Sequence, residues 1–412
     1  MKIGIDACTW VNRRGYGRFT RGLVHAMVEA CPQHDFTLVV DGTMGRDASF
    51  PARAHVHVVP TSERQATAAS ADGSRRPVDL LRMGRAIGAL DVDVFLFPTS
   101  FSYVPVFGRR PVVTVFHDAT AEMHPALIFP RIVPRLLWTI KSQLARRQSQ
   151  RIVTVSENAR AQIACVFGMP ANEIEVVSEG ADPIFQPHDV THDVTHDVTH
   201  DHACARATAE SAAVRAQYGL PAGCALLLYV GGLSPHKNID GLLRAVSALP
   251  PTRAPWHLAI VGDVANDTFL TCHEQLQAQV REPGLCGRVS FTGFVPDAQL
   301  AALYRAATVL VLPSFSEGFG LPVLEAMACG LPVAVSDRFS LPEIVGDAGV
   351  LFDPTSTPSI TQALSRVLGS AELRASMRAK GLQRATAYSW RRGAERMARI
   401  LERVVAQSGA AA

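Results

Sequence analysis

The segment from Pro313 to Ser336, PSFSEGFGLPVLEAMACGLPVAVS, constrains the fold of this chain more than any other. An apolar run, Val309 to Leu312, precedes it, and a second apolar run, Leu331 to Val335, closes it. Proline is typical of a first helical turn and glycine of a helix end, so a short helix is predicted between the runs. The order of strand, glycine-bearing turn, helix and strand is typical of a parallel sheet.

Two glutamates lie around this turn, Glu317 in the loop and Glu325 one turn into the helix. The start of a helix points backbone N–H groups and a partial positive charge at the turn, which suits a phosphate. Carboxylates accept hydrogen bonds from sugar hydroxyls. The pattern therefore predicts a phosphate site flanked by sugars, although two solvated helix-end charges are the alternative.

The same segment closely resembles the signature of retaining glycosyltransferases of the GT-B fold, family 4 in particular. The resemblance implies that Glu317 holds the transferred sugar at the reacting centre and that Glu325 holds the ribose of the nucleotide. It also implies donor binding by the stretch Phe319, Gly320, Leu321, Pro322 and Val323. The resemblance covers nearly the whole chain and is strongest over residues 225–353.

The composition is that of a globular protein with more than one core. The chain has 412 residues, of which 48% are hydrophobic, so two or three domains are expected. Its net charge of +3 and its lack of a basic tail indicate no nucleic-acid partner. Eight widely spaced cysteines predict reduced thiols and a cytoplasmic location. The MKIGIDACTW start predicts no signal peptide, and no apolar run approaches the roughly 18 residues that cross a bilayer.

Apolar runs of strand length alternate with helical stretches along the chain, which predicts α/β architecture with parallel sheets covered on both faces. With the GT-B resemblance, we expect two Rossmann-like, doubly wound parallel-sheet domains that face each other across a cleft. The expected acceptor-binding domain is residues 1–185, with a C-terminal helix of about 390–412 packing back on it. The expected linker is 186–213, and the nucleotide-sugar-binding domain is 214–389.

The linker contains a repeat, HDVTHDVTHDVTHDH, over residues 188–202. Its histidines and aspartates could bind a divalent metal, but a repeat-expanded, solvated segment is the simpler interpretation. We predict a disordered linker without a catalytic role. No Asp-x-Asp motif follows a strand, so we predict no bound metal and no bound cofactor.

Residues 229–238, YVGGLSPHKN, predict a strand that ends at Gly231 and a turn before Lys237 and Asn238. A lysine there can lie against a diphosphate as a compact point charge, and family 4 has a donor-phosphate lysine at this position. Gly232 stands where many members carry arginine, which leaves Lys237 as the main diphosphate cation. A surface lysine at a helix start is the alternative.

Residues 112–118, VVTVFHD, predict a buried strand that ends in His117 and Asp118. The resemblance implies that His117 contacts the transferred sugar and helps to stabilise the reacting centre; a histidine that caps the core is the alternative. It also implies front-face attack by the acceptor, with the leaving diphosphate accepting the acceptor's proton. Catalysis is then positioning plus electrostatic stabilisation.

The loop after the first strand, Gly15 to Arg18, resembles the family's glycine-rich loop beside the donor phosphate and the acceptor, although a plain turn also explains it. Residues 154–160, TVSENAR, resemble another family segment, but Ser156 is also a good N-cap. Ser178 and Glu179 replace a usual Asn-Gly turn, which weakens an acceptor role there. The glycines predicted at the donor are Gly15, Gly17, Gly231 and Gly232. The acceptor-side candidates are Tyr16, Arg18, Asp118, Ser156, Glu157 and Arg160.

Residues 125–151 contain six basic side chains and no acidic one, interleaved with apolar residues. Such a segment is typical of a helix on an anionic membrane surface, and equally of a helix that packs its apolar stripe on a sheet. The sequence leaves both open. Membrane contact at the inner face would suit a lipid-linked acceptor.

The sequence as a whole predicts a retaining glycosyltransferase that moves a hexose to a hydroxyl of a glycan or glycolipid. The FHD, SPHKN and SLPEIVGDAG stretches look most like mannosyltransferases that use GDP-mannose, with a UDP-sugar as the other donor considered. The alternatives are a non-catalytic nucleotide-sugar-binding subunit and an epimerase or phosphorylase of the same fold. A dehydrogenase is disfavoured because no G-x-G-x-x-G follows residues 2–7.

Overall fold

A computed structural model describes residues 1–42, 49–62, 76–129, 131–187, 198–250, 255–263 and 271–410. These residues form two compact units. The first consists of Met1–Gly180 with the C-terminal residues from Ser389, and the second extends from Ala181 to Tyr388.

The first unit is built on a parallel sheet of seven strands in the order β3-β2-β1-β4-β5-β6-β7. The strands are β1 (Lys2–Asp6), β2 (Asp35–Asp41), β3 (His55–Val59), β4 (Val94–Phe97), β5 (Val112–Val115), β6 (Ser149–Thr154) and β7 (Ile174–Val176). The helices are α1 (Gly15–Ala30), α2 (Pro77–Ala89), α3 (Thr120–Met123), α4 (Pro125–Ile128), α5 (Ile132–Gln148) and α6 (Glu157–Phe167). The order reverses between β1 and β4, which is the topological switch point of a doubly wound sheet.

The second unit repeats this plan with six parallel strands in the order β10-β9-β8-β11-β12-β13. The strands are β8 (Ala225–Val230), β9 (Trp256–Val261), β10 (Val289–Gly293), β11 (Val309–Leu312), β12 (Val333–Ser336) and β13 (Val350–Phe352). The helices are α7 (Val198–Gln217), α8 (Ile239–Ser247), α9 (His273–Val280), α10 (Asp297–Ala306), α11 (Leu321–Ala328), α12 (Leu341–Val345), α13 (Thr357–Gly369) and α14 (Ala371–Ala385). Its switch point lies between β8 and β11.

The central strands are continuous apolar runs because helices cover both faces of each sheet. Every residue of β4, β5, β9 and β11 is buried. The prediction of two doubly wound parallel α/β sheets is confirmed. The short strand β13 was not predicted, because three residues with an exposed centre carry little pattern.

The last helix, α15 (Trp390–Ala410), belongs to the first unit and packs on α1. The ring centroids of Trp390 and Phe19 lie 5.8 Å apart. Arg403 binds Glu175 at 2.5 Å, so the helix is also held to β7, the last strand of this sheet. The chain therefore returns to its first unit after completing the second.

The prediction of a disordered linker over 186–213 is wrong for its later part, which is in α7; residues 188–197 lie outside the described residues. Alanine-rich sequence favours helix, and tertiary contacts hold this one. Glu210 pairs with Arg305 at 2.6 Å, and Arg215 donates to the carbonyl of Ala306 at 2.8 Å. These bonds join α7 to α10 within the second unit.

Candidate functional site

Strands β8 and β11 are hydrogen-bonded neighbours at the switch point of the second unit, with Leu310 opposite Leu228. A short 3₁₀ turn, Pro235–Lys237, lies between β8 and α8, and the loop from Pro313 to Gly320 lies between β11 and α11. The backbone N–H of Phe315 donates to the carbonyl of His236 at 2.8 Å, so the two loops touch. Ligands of doubly wound sheets bind at this edge.

Lys237 and Glu317 meet where these loops touch. The Lys237 Nζ donates to Glu317 Oε1 at 2.7 Å, and Ser314 Oγ donates to the same oxygen at 2.7 Å. The two charged side chains are 18% and 12% exposed, so they are largely desolvated yet reachable. Ser340 Oγ donates to the carbonyls of Glu317 and Phe319, which fixes the loop from behind. The result is a preorganised cation and carboxylate that a charged ligand can separate.

Helix α11 begins beside this pair. Its N-cap, Gly320, has φ 101°, and a Cβ there would lie 2.7 Å from Leu341 Cδ2, so only glycine suits the position. Pro322 occupies the first turn, and the Gly320 carbonyl accepts from the N–H of Val323 at 2.9 Å. Phe319 is buried, with its ring edge-on to Tyr388 at 5.5 Å. The predicted donor stretch Phe319–Val323 thus forms the tip of a helix next to Lys237 and Glu317.

Glu325 lies deeper on the same helix. Its side chain is buried, with a relative exposure of 1%, and its Oε2 accepts from Tyr304 Oη at 3.0 Å. Tyr304 is itself fully buried on α10. The carboxylate is therefore held in one orientation, and its predicted contact with ribose remains a prediction.

Asn238 has a positioning function in the structure. It adopts a left-handed backbone (φ 55°), and its Nδ2 donates to the carbonyls of Pro313 at 3.1 Å and Pro354 at 2.8 Å. The side chain thus ties the segment after β8 to the segment after β11, next to Lys237. The predicted donor glycines Gly231 and Gly232 form the turn after β8, where Tyr229 Oη donates to the Gly232 carbonyl at 2.7 Å.

His117 follows β5 in the first unit. Its Nε2 bonds to the Pro98 carbonyl, which follows β4, at 3.0 Å, and Phe19 lies edge-on to the ring at 4.7 Å. A carbonyl oxygen only accepts, so Nε2 carries the proton of this bond. The other nitrogen, Nδ1, lies 3.9 Å from Glu179 Oε1. The histidine ring is therefore fixed between two strand ends.

Glu179 is a residue of this site that the sequence analysis did not select. Its side chain is buried and lies in the segment after β7. A buried acid is unusual unless it is paired or functional. The signal in the sequence is the presence of Ser178 and Glu179 where the family usually has an Asn-Gly turn.

The prediction of a glycine-rich loop at Gly15 to Arg18 is wrong, because α1 begins at Gly15 and these four residues form its first turn. The segment between β1 and α1 contains no glycine. A Cβ on Gly17 would lie 2.1 Å from the Asn12 carbonyl oxygen, so the close turn requires glycine. Tyr16 Oη accepts from Asn12 Nδ2 at 3.0 Å, and its ring stacks on Phe101 with centroids 5.5 Å apart. Arg18 lies one turn into the helix, where its N–H donates to the Arg14 carbonyl.

The other acceptor-side candidates have local structural contacts. Asp118 Oδ1 accepts from the N–H of Thr120 at 2.7 Å, in the turn just before α3. Ser156 Oγ accepts from the N–H of Ala159 at 3.1 Å and caps α6. Glu157 and Arg160 form an ion pair on the first turn of that helix.

No group of three or more histidine, cysteine, aspartate or glutamate side chains with metal-binding geometry occurs in the described part of the chain. The HDVT repeat lies largely outside it.

Two family models match the chain. "Glycosyltransferase Family 4" matches residues 13–184, and "Glycosyl transferases group 1" matches residues 210–384. The chain belongs to family 4 of the GT-B glycosyltransferases.

Relatives of this family with curated functions include O-antigen chain mannosyltransferase B of Escherichia coli. It is 34% identical over 285 residues, which cover 68% of this chain and 66% of that protein. The D-inositol 3-phosphate glycosyltransferase of Acidothermus cellulolyticus is 31% identical over 249 residues, 59% of this chain and 50% of that protein. The matches thus span between half and two thirds of these relatives.

Solved structures show the same fold. Sucrose-phosphate synthase from Thermosynechococcus elongatus superposes with a TM-score of 0.74 at 19% identity, covering 99% of this chain and 100% of that one. WaaG, a glycosyltransferase involved in lipopolysaccharide biosynthesis, has a TM-score of 0.72 at 16% identity, with 97% and 99% covered. Anabaena HepE in complex with UDP and glucose has a TM-score of 0.70 at 17% identity, with 97% and 99% covered.

Proposed function

We propose that this protein transfers a hexose from a nucleotide diphosphate sugar to a hydroxyl of a glycan or glycolipid, with retention at the anomeric carbon. The observation that carries the proposal is the Lys237–Glu317 pair beside the tip of α11, at the switch point of the second sheet. The proposed donor is GDP-mannose. The E. coli mannosyltransferase relative supports mannose, whereas the UDP of the HepE structure makes a UDP-sugar the competing donor.

The donor site follows from charge and from backbone dipoles. An incoming diphosphate carries more negative charge than one carboxylate, so it draws Lys237 Nζ away from Glu317 and lies against the start of α11. Glu317 then no longer pairs with Lys237, although Ser314 still donates to it, and it can accept hydrogen bonds from hydroxyls of the transferred sugar. We assign Glu325, oriented by Tyr304, to the ribose.

The reaction needs no covalent protein intermediate. The acceptor hydroxyl attacks the anomeric carbon from the face that the diphosphate leaves, the bond from that carbon to the diphosphate oxygen breaks, and a diphosphate oxygen takes the acceptor's proton. Lys237 and the helix dipole stabilise the departing charge, and Glu317 and His117 position the sugar. Because the Pro98 carbonyl fixes the ring of His117, we assign it as an orienting contact to the sugar and not as a general base.

The acceptor side belongs to the first unit in this proposal. Tyr16 and Arg18 lie on the first turn of α1, and Gly15 leaves open space there, with no atom of the described residues, its helix neighbours aside, within 4 Å of where its Cβ would lie. We propose an acceptor carried on a lipid and reached from the cytoplasm, at the inner face of the membrane. The described helices include none long and apolar enough to cross a bilayer.

A donor screen tests the proposal. We expect GDP-mannose to raise the melting temperature of the full chain more than UDP-glucose or ADP-glucose at equal concentration, since a ligand of the folded state stabilises it. Transfer is then followed by release of GDP with extracted glycolipids as acceptors. Glu317→Gln should lose about 10²- to 10³-fold in kcat/KM, while Glu282→Gln, an exposed acid of the same unit, should match the wild type.

A non-catalytic nucleotide-sugar-binding subunit is the second candidate, and Gly232 in place of a diphosphate arginine favours it. It predicts a donor-dependent rise in melting temperature with no GDP release for any acceptor. Turnover that depends on Glu317 would exclude it.

A further inference from the structure

Helix α5 (Ile132–Gln148) has two apolar faces, and the outward one lacks protein cover in the described structure. The inward residues Trp138, Ser142 and Ala145 are buried. Six large apolar side chains on the other side are exposed, from 42% for Leu144 to 84% for Ile132. These are Ile132, Val133, Leu136, Leu137, Ile140 and Leu144, which we call the outer stripe. A surface helix normally presents polar residues there, so the stripe requires an explanation.

Contacts of the inward face fix the rotation of α5 about its own axis, and this orientation leaves the outer stripe exposed. Trp138 packs with Phe129 and Phe101 in a small core of its own, and its Nε1 donates to Glu122 Oε1 at 2.8 Å. The Lys141 Nζ donates to the Phe101 carbonyl at 3.0 Å and lies 4.7 Å from the Trp138 ring. Turning the stripe inward would break all of these contacts.

The charges around the stripe have one sign. Residues 125–151 contain six basic side chains and no acidic one. Arg131, Arg135 and Arg147 are exposed beside the stripe. Such a surface combines about six apolar anchors with cations that can reach phosphate groups, as interfacial helices do.

We infer that α5 docks on the surface of an anionic lipid bilayer, with the outer stripe among the acyl chains and the arginines at the phosphates. Two copies of the chain packed through this face would bring like charges together, which disfavours a dimer. Among the described helices none can cross the membrane, so α5 would lie on the surface and not span it. The inference rests on the proposed function only for the statement that the acceptor is lipid-linked.

A row of aromatic rings connects this helix with the start of α1, where Tyr16 is an acceptor-side candidate. The ring of Trp138 is tilted against that of Phe101 with centroids 4.6 Å apart, and Phe101 stacks on Tyr16 at 5.5 Å. Tyr16 lies on the first turn of α1. Docking of α5 therefore places the start of α1 close to the lipid surface, where a membrane-borne acceptor can reach it.

Co-sedimentation of the full chain with vesicles, without donor or acceptor, tests this inference. We expect binding to phosphatidylcholine vesicles that contain phosphatidylglycerol and little binding to pure phosphatidylcholine. The double variant Leu136→Glu, Ile140→Glu should reduce the partition coefficient at least about tenfold, since it exchanges apolar burial for charge desolvation. Arg135→Glu with Arg147→Glu should lower binding and reduce its salt sensitivity.

The matched control is Val78→Glu with Leu81→Glu, two exposed apolar residues on α2 of the same unit, which should bind vesicles like the wild type. Circular dichroism and the melting temperature show that each variant is folded. Wild type that stays in the supernatant, or a stripe variant that binds as well as wild type, overturns the inference. A concentration-dependent dimer that the stripe variant abolishes, without vesicle binding, also overturns it. The donor-induced rise in melting temperature is independent of these results, so failure of docking is distinguishable from failure of the proposed function.

Discussion

The two units of the molecule use the same sheet topology, but their candidate sites are built differently. In the second unit, loops from two adjacent strands bring Lys237 and Glu317 into direct contact next to a helix tip. In the first unit, His117 is held by the Pro98 carbonyl and lies near Glu179, while Ser156 caps a different helix. The second site is thus a compact charge pair, whereas the candidate groups of the first unit follow several different strands.

The difference has a chemical reason under the proposed function. A nucleotide diphosphate always presents the same phosphates and ribose, so one loop-helix unit with a lysine is sufficient to bind it. Acceptors vary in shape, and the groups that contact them come from separate loops.

Removal of the cation should damage the second site most. We expect Lys237→Ala to lower kcat/KM by about 10²- to 10³-fold, because it removes the proposed diphosphate cation and leaves Glu317 without its partner. Lys380→Ala, which breaks an exposed pair with Asp347 in the same unit, is the control. Equal losses of kcat/KM for both variants in steady-state kinetics would contradict the assignment of Lys237 to the diphosphate.

The candidate site could be predicted from the sequence where its residues lie in one continuous segment. Residues 313–336 contain the loop, helix tip and both glutamates within one segment, and the contact with Lys237 follows from parallel neighbours ending at one edge. The contact of Glu179 with His117 could not be predicted because β5 and β7, which they follow, are not neighbours in the sheet. The contact of Phe101 with Trp138 could not be predicted because it joins a segment after β4 to the middle of a helix. The fold was predictable from apolar runs, whereas the helix α7 was missed because its repeat start obscured the alanine-rich part.

The stability of the first unit should depend on pH through Glu122, which lies near Asp118. Burial, with Asp118 nearby, raises the pKa of Glu122 from 4.5 to about 7. The folded state therefore holds this proton more tightly than the unfolded chain, and stability falls as pH rises from 4.5 towards 7. Glu122→Gln should remove a decline of up to about 3 kcal/mol, as measured by urea unfolding at several pH values. An unchanged pH profile in this variant would mean that Glu122 ionises normally.

Disruption of the pair of Glu179 and His117 should moderately reduce transfer without affecting donor binding. We expect Glu179→Gln to reduce kcat by about tenfold through loss of ring orientation, while the donor-induced rise in melting temperature is retained. Glu173→Gln, an exposed acid just before β7, controls for loss of charge in this region. Full activity of Glu179→Gln would reduce Glu179 to a packing residue.

The smallest effect concerns two helix caps, one in each unit. Ser156 caps α6 and Ser370 caps α14 through equivalent side-chain bonds, so Ser156→Ala and Ser370→Ala should each cost about 1 kcal/mol of unfolding free energy. If chemical denaturation shows no loss of unfolding free energy for Ser156→Ala, the cap does not stabilise the helix. If Ser156→Ala lowers the rate of transfer more than Ser370→Ala does, Ser156 also contacts the acceptor.

The division of labour within the Lys237–Glu317 pair is the central claim, and calorimetric titration of GDP and of GDP-mannose tests it most directly. Lys237→Ala should weaken both ligands. Glu317→Ala should weaken GDP-mannose but leave GDP binding equal to wild type or tighter, because it removes a carboxylate that competes for Lys237 and touches only the sugar. Equal weakening of GDP by both variants, or unchanged GDP-mannose binding in Glu317→Ala, would contradict the account.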